Sequence, residues 1–491
     1  MSAKTDQYTQ EELLEMIRRW VPAERMPRRV RIKDTSDFFR VDYDDVVVLK
    51  GIPYLVRNNE REGRFGISDE QKFWVKRAID LISGKAKILK WAFREEFHSR
   101  VGDLVFECVR SPRKESRILD MVRGRPDFMQ GETVQDATDN PLRIMDYIRG
   151  RTLEDVTLSL GRGHEDFFSN HFPSLLSDFI ASVQAIGFLH DNDEKHGDIR
   201  RDHLIRDKTT GQYRWIDFDY NYRHGASRFG YDLFGLGNVL IFITGRGDVT
   251  TRGLMMQSPG LFDKLVEEDL NIVFNTRVAN LQKVYPYIPD ELNRVLMHFS
   301  TGARVYYDNT SQLLEDLGEV LEMIEVKKKP MHTMNNQTDD RIKDKHLLIS
   351  VDESEEAKHA VLYVADFVGG FPGFRATLLS IVQDPGEDFF ASKQEKAEWI
   401  KKETESMRQT LENYRQILIQ SGFPEDKVAM EICADDSKSL SKTILSFQCD
   451  MSCCTVVVGR KHKSKTEEFL FGSVSNQLIH EARNCAVWVV E

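Results

Sequence analysis

The segment KHGDIRRDHLIRDKTTGQYRWIDFD, residues 195–219, places three acidic side chains, Asp198, Asp217 and Asp219, on either side of a basic run and a short strand pattern. Ionised carboxylates are acceptors only, and they serve two chemistries that matter here. One carboxylate can take a proton from a hydroxyl, and another can hold a hard divalent cation. Separated by a Thr209–Thr210–Gly211 turn, the acids fit a metal-assisted phosphoryl-transfer site. They fit a solvated, charged hairpin as well. The elements around them must decide.

Those elements fall into blocks. Residues 44–110 hold short strand patterns such as DVVVLKGIPYLV, KFWVKRAIDLI and AKILKWAF, with a hairpin signal at Ser83–Gly84. From about 165 to 325 the spacing of apolar residues is helical, as at 176, 179, 180, 183 and 186. The polar stretch 325–345, EVKKKPMHTMNNQTDDRIKDK, has no apolar period and reads as a linker. Beyond it, strand patterns at 346–351, 375–382, 427–434, 454–459 and 486–490 alternate with helical stretches at 354–368, 393–420, 438–448 and 473–483. Strands alternating with helices predict a doubly wound parallel sheet.

The chain has 491 residues, enough for two or three domains at roughly 100–200 residues each. A net charge of −11 argues against a general nucleic-acid binder, which needs a basic face. The N-terminus has no signal-peptide core, and no apolar run of membrane-spanning length stands out, the longest being 233–245. Those observations predict a cytoplasmic protein that binds neither membrane nor nucleic acid. The six cysteines then read as free thiols. Cys449, Cys453 and Cys454 lack metal-ligand spacing and read as buried small hydrophobes.

Residues 45–325 resemble the protein kinase superfamily, as a strand-rich lobe to about 150 followed by a helical lobe. In EGRFG, Gly63 and Gly66 match the later glycines of the loop that covers the phosphates, with Arg61 in place of the first. AKILK resembles the strand whose lysine, here Lys90, holds the α- and β-phosphates. KESRIL resembles the helix whose glutamate, here Glu115, pairs with that lysine. HGDIRRDHL resembles the catalytic loop. The resemblance makes Asp198 the base, puts Gly197 where an arginine is usual, and sets Arg200 where a lysine meets the γ-phosphate. WIDF resembles the metal-binding strand, with Asp217 on Mg²⁺. DLFGLG resembles the following helix, where Asp232 would brace the catalytic loop.

Two departures stand out. His203 occupies the place of the asparagine that holds a second metal, and imidazole is a poor Mg²⁺ ligand. Asp219 replaces a glycine. On an extended strand residues two apart point the same way, so Asp219 is expected to face the metals beside Asp217. Fourteen residues separate Asp217 from Asp232, too few for a long phosphorylatable activation loop. The resemblance therefore implies a kinase using ATP and Mg²⁺ on a protein or small-molecule hydroxyl. A pseudokinase that binds nucleotide without catalysis is the remaining reading.

Residues 343–491 resemble the universal stress protein family. HLLISVDES puts Asp352 at the end of the first strand, where open parallel sheets bind ligands. In VVVGRKHKSKTEEFLFGSVSNQLI, Gly459, Gly472, Ser473 and Ser475 match that family's ATP loop, with His462 replacing its second glycine. Gly472 and Ser473 open a helix, where a phosphate or a simple helix cap would each fit. The AVWVV strand would lie at the sheet edge, which the family uses for homodimers. The implied architecture is multidomain. An N-terminal extension (1–44) precedes an α+β kinase-like domain (45–325), a linker (326–342) and a Rossmann-like α/β domain (343–491).

Overall fold

A computed structural model describes residues 8–491 apart from 65–66, 102–103, 137–138, 224–226, 326–344, 370, 372, 436–438, 462–465, 468–472 and 484. The expected linker therefore lies outside the described residues, as do Gly66, His462 and Gly472. The chain forms two compact units. The first comprises Met1–Ser99, Glu107–Tyr222 and Phe242–Gly247, and the second the remainder.

In the first unit a seven-stranded sheet runs in the order Arg31–Ile32, Asp45–Leu49, Ile52–Arg64, Ile67–Asp80, Ala86–Trp91, Pro141–Asp146, Gly131–Gln135. All neighbours are antiparallel except the first pair. The expected hairpin at Ser83–Gly84 is present, and Gly84 adopts φ +70°, a left-handed turn that glycine takes without a Cβ penalty. One face buries Val47, Tyr54, Val56, Leu89, Trp91 and Leu142. The other receives residues expected to form an extension. Helix Gln10–Arg18 starts on a Thr9–Glu12 capping box and inserts Leu13 and Ile17 beside Val46, Leu55 and Leu81. The N-terminal segment is thus part of this unit's core.

Helix Lys114–Met121 follows, then the apolar helix Phe172–Asp191. The latter corrects the expectation that no segment reaches membrane-spanning length, because its length and composition alone would suffice. Scattered Ser, Asp, Gln and His residues hide it in the sequence. Its apolar side chains Leu176, Phe179, Val183 and Ile186 are buried in the unit. A hairpin of Leu204–Asp207 and Tyr213–Trp215 comes next, closed at Gly211 with φ +76°.

The second unit contains helices such as Asp290–Met297 and Thr310–Glu325, and a five-stranded sheet. Its order is Val428–Asp435, Phe374–Gln383, Lys345–Ser350, Thr455–Gly459, Ala486–Val490, with every pair parallel. This is the doubly wound sheet that the alternating pattern predicts, and each of its described helices and strands lies within a few residues of its expected position. Strands buried on both faces explain the continuous apolar runs. Helices Glu355–Val368 and Lys393–Gln420 bury Val361, Val364, Leu411 and Leu418 against one face. Ile444, Cys453 and Leu478 lie against the other. Ala486–Val490 is an edge strand, as expected.

None of the six cysteines, all of them among the described residues, is in a disulfide. His346 Nδ1 lies 3.3 Å from the sulfur of Cys453, a proximity that the sequence separation conceals. Burial pushes the Cys453 thiol up to about 11, which leaves it an inert core residue.

Candidate functional site

The site in the first unit is organised by one ammonium group. Lys90 sits on the Ala86–Trp91 strand, directly opposite Arg143 of Pro141–Asp146, and is 3% exposed. Its Nζ lies 3.0 Å from Glu115, 2.6 Å from Asp217 Oδ1 and 3.0 Å from Asp219 Oδ2. The structure therefore brings together four residues singled out from separate parts of the sequence. Burial works against the charged ammonium, but Asp217, Asp219 and Glu115 outweigh it and raise the lysine above its ordinary range. Arg143, itself buried, adds a second cation 3.1 Å from Glu115.

Asp217 and Asp219 reach Lys90 by a different route from the expected one. Residues 216–219 are not a strand, and Asp217 has φ +67°. For a residue with a Cβ that left-handed conformation costs roughly 1–2 kcal/mol. It turns the chain so that both carboxylates converge on one cation. Burial pushes the Asp217 carboxyl up, yet Lys72, Lys90 and His203 hold it well below the usual range. Burial and Asp217 push the Asp219 carboxyl up, but Lys90, Arg110 and Lys72 outweigh them and hold it below the usual range. Asp219 is 3% exposed, and Arg110 lies 3.9 Å from it. The Arg110 guanidinium is enclosed by the rings of Trp74, Phe93 and Tyr220 at 4.6–5.1 Å.

The catalytic-loop candidates lie close by. Asp198 Oδ2 is 3.5 Å from His203 Nδ1 and 4.0 Å from Arg200. His203 Nδ1 also faces the Asp198 carbonyl at 2.9 Å, which leaves Nε2 turned towards Asp217 Oδ2 at 3.9 Å. Arg200, expected at the γ-phosphate, instead grips Asp202 in a two-pronged pair at 2.9 and 2.6 Å. Asp232 is fully buried in the first turn of helix Gly230–Thr244, whose start belongs to the second unit. Gly63 lies near the end of Ile52–Arg64, next to the start of Ile67–Asp80.

Sequence reasoning missed Lys114, next to Glu115. This fully buried lysine donates to the carbonyls of His196 at 2.8 Å, Phe218 at 2.9 Å and Tyr220 at 2.6 Å. It thereby joins the loop holding Asp198 to the segment holding Asp217 and Asp219. Gly197 fits the same arrangement. With φ +88° it lies so close that a Cβ would overlap the Tyr220 carbonyl. Ser111 supports both sides, because its hydroxyl accepts from the Lys114 amide at 3.2 Å and its amide donates to Asp219 O at 2.9 Å. Residues 220–222 pair with 108–110 as antiparallel strands. Phe218 is fully buried edge-on against His196.

The second candidate site lies at the C-terminal ends of the parallel strands. Asp352 bonds the amide of Ser354 at 2.9 Å and faces Lys461 at 3.1 Å. Burial raises its carboxyl, but Ser354 and Lys461 bring it below the usual range. Gly459 is required by packing, since a Cβ there would strike the backbone of Glu356. Ser473 caps helix Val474–Glu481 through the Asn476 amide, and Ser475 lies 3.2 Å from it. The hydroxyl of Ser473 is therefore engaged in the helix cap.

Two predictions follow from the first site. Asp217 and Asp219 have depressed values, so their contribution to stability is complete above the ordinary value of about 3.9 and is lost as pH falls through the folded value. Lys90 has a raised value, so its contribution is complete below about 10.4 and is lost at higher pH. Thermal melts should show a plateau between about pH 5 and 9 with acid destabilisation below pH 4. Asp217→Asn should flatten that acid limb, and an unchanged slope contradicts the assignment. Secondly, Lys114→Met leaves three carbonyls without this donor and should destabilise the first unit by at least about 2 kcal/mol in denaturant unfolding. An unshifted midpoint contradicts its linking role.

Residues 344–491 match the model of the universal stress protein family. No curated protein matches the chain. Among solved structures, a universal stress protein family member from Burkholderia pseudomallei is 16% identical, covering 30% of this chain and 95% of its own, with a TM-score of 0.24. UspA from Lactobacillus plantarum is 17% identical, covering 31% and 100%, with a TM-score of 0.26. The PknI kinase domain of Mycobacterium tuberculosis is 13% identical, covering 56% and 97%, with a TM-score of 0.32. The chain thus carries residues that match the universal stress protein model at its C-terminal end, behind a front part in which Lys90 meets Glu115 and Asp217.

Proposed function

We propose that residues 45–325 are an ATP-dependent phosphotransferase of the serine/threonine-kinase type, coupled through 326–342 to a nucleotide-binding stress-sensor domain at 343–491. The observation that carries the reading is the contact of Lys90 with both Glu115 and Asp217. Phosphoryl transfer asks a protein mainly for positioning and charge. Lys90, kept charged by its carboxylates, would hold the α- and β-phosphates, and Gly63 and Gly66 would belong to the segment that covers them. Asp198 would accept the proton of the incoming hydroxyl as its oxygen bonds the γ-phosphorus and the bond to the bridging oxygen breaks, leaving ADP.

Of the residues here Asp217 suits Mg²⁺ by its hard oxygens, and His203 does not. Asp217 offers a hard oxygen on a side chain 18% exposed, with His203 and Asp219 adjacent. An ion held there would neutralise phosphate charge. The acceptor is a hydroxyl of a protein or a small molecule. Gly197 and the short 218–231 segment suit a site not controlled by loop phosphorylation.

A second reading, nucleotide binding without catalysis, has its own support. Asp217 and Asp219 are already paired with Lys72, Lys90 and Arg110. Among the described residues no three His, Cys, Asp or Glu side chains gather as a ready metal cluster.

An adenine-nucleotide sensor in the rear domain is supported by Asp352 and Gly459 at strand ends and by Ser473 and Ser475 at the start of helix Val474–Glu481. Its edge strand supports homodimerisation. Trp488 stands at edge-on angles to Tyr363 and Phe367, which are 45% and 60% exposed, so pairing would bury an aromatic patch.

Asp198→Asn should lower phosphoryl transfer from labelled ATP about 10²–10⁴-fold while leaving nucleotide affinity near that of the parent chain. Undiminished turnover contradicts the catalytic reading.

A further inference from the structure

Asp217 carries a cation that the kinase resemblance does not assign. Its Oδ1 meets Lys90, and its Oδ2 meets the Nζ of Lys72 at 3.0 Å. The Lys72 side chain is 15% exposed, and it lies on Ile67–Asp80 a few residues past the glycine-bearing hairpin. The strand is distorted just after it. Asn59 pairs with Lys76 but Glu60 pairs with Lys72, so residues 73–75 are skipped in the ladder. Bulges of this kind occur next to active sites, where they re-aim a side chain. Here the distortion ends at the lysine that reaches Asp217.

The same carboxylate oxygen faces His203 Nε2 at 3.9 Å. In a two-metal phosphoryl-transfer site, the residue five positions after the catalytic aspartate supplies an oxygen to the second ion. An imidazole there is a poor seat for Mg²⁺, which prefers oxygen. A lysine ammonium is a compact point charge with three donors and suits phosphate oxygens without any coordination demand. Asp217 Oδ2 thus has an ammonium against it and no oxygen ligand from residue 203 to share a second ion with.

We propose that Lys72 takes the place of the second metal ion, so that this chain neutralises the nucleotide's phosphates with one metal and one lysine. The inference rests on the reading of residues 45–325 as a nucleotide site. Lys72 is paired with Asp217, and phosphate oxygens of a bound nucleotide would be additional acceptors for the same ammonium. No covalent step is involved.

The test is calorimetric binding of a non-hydrolysable ATP analogue to the full chain, at Mg²⁺ equimolar with nucleotide and then in large excess. The parent chain should bind with an affinity that excess Mg²⁺ leaves unchanged. Lys72→Met should weaken binding about tenfold, the loss of one charge-assisted contact, and Lys72→Arg should restore most of it. Parent-chain affinity that rises tenfold with excess Mg²⁺ overturns the inference, and so does equal affinity of Lys72→Met. The Mg²⁺ series on the parent chain decides this even if a variant folds poorly. If the parent chain binds no nucleotide, the underlying reading falls too. If it binds and Lys72→Met binds equally, only the role of Lys72 falls.

Discussion

A buried lysine is costly unless its charge is met, and Lys90 is met by Glu115, Asp217 and Asp219 at 2.6–3.0 Å. These partners come from a helix and from a turn more than a hundred residues later in the chain. Each arrives only if the sheet, the helix and the turn are all in register. Pairs of this kind add little net stability over well-packed apolar residues, but removing one partner leaves an uncompensated charge. Their value lies in specifying a single arrangement. In this unit that arrangement sets one cation against three acids, the contacts on which the phosphotransferase reading rests.

The surrounding structure shows how such an arrangement is held without a long activation segment. Lys114 binds three carbonyls from the two acid-bearing segments, and Gly197 leaves room for one of them. Where the kinase resemblance has an arginine in the catalytic loop, this chain has a glycine there and a buried lysine on the neighbouring helix. Arg110, enclosed by three aromatic rings, fixes Asp219 from the strand that pairs with 220–222. These loops are thus held by the fixed cations Lys114 and Arg110.

The sequence revealed the parts governed by local periodicity. The rear domain could be read strand by strand because parallel strands buried on both faces are continuous apolar runs. Lys90, Glu115, Asp198 and Asp217 were reached through motifs, and the structure brings Glu115 and Asp217 to Lys90. Asp219 was identified by an argument that the backbone does not follow, since Asp217 is left-handed rather than extended. Lys72, Arg110 and Lys114 escaped notice because nothing local marks them. A bulge, an aromatic enclosure and a trio of carbonyls are long-range facts. The helix Phe172–Asp191 is legible from its apolar spacing at 176–186, but scattered polar residues hide that it is long and apolar enough to match a membrane span. Arg200 shows that a matching position does not fix a contact, for its neighbour Asp202 captures it first.

The central claim is that Lys90 and its carboxylates form a seat for a triphosphate. The most direct measurement is the thermal midpoint of the full chain with and without ATP and Mg²⁺, for the parent and for Lys90→Met. The account predicts that nucleotide at about 100 times its dissociation constant stabilises the first unit of the parent by roughly 2.7 kcal/mol, and that Lys90→Met loses most of this gain. Equal stabilisation of the two proteins, or none in the parent, would contradict it.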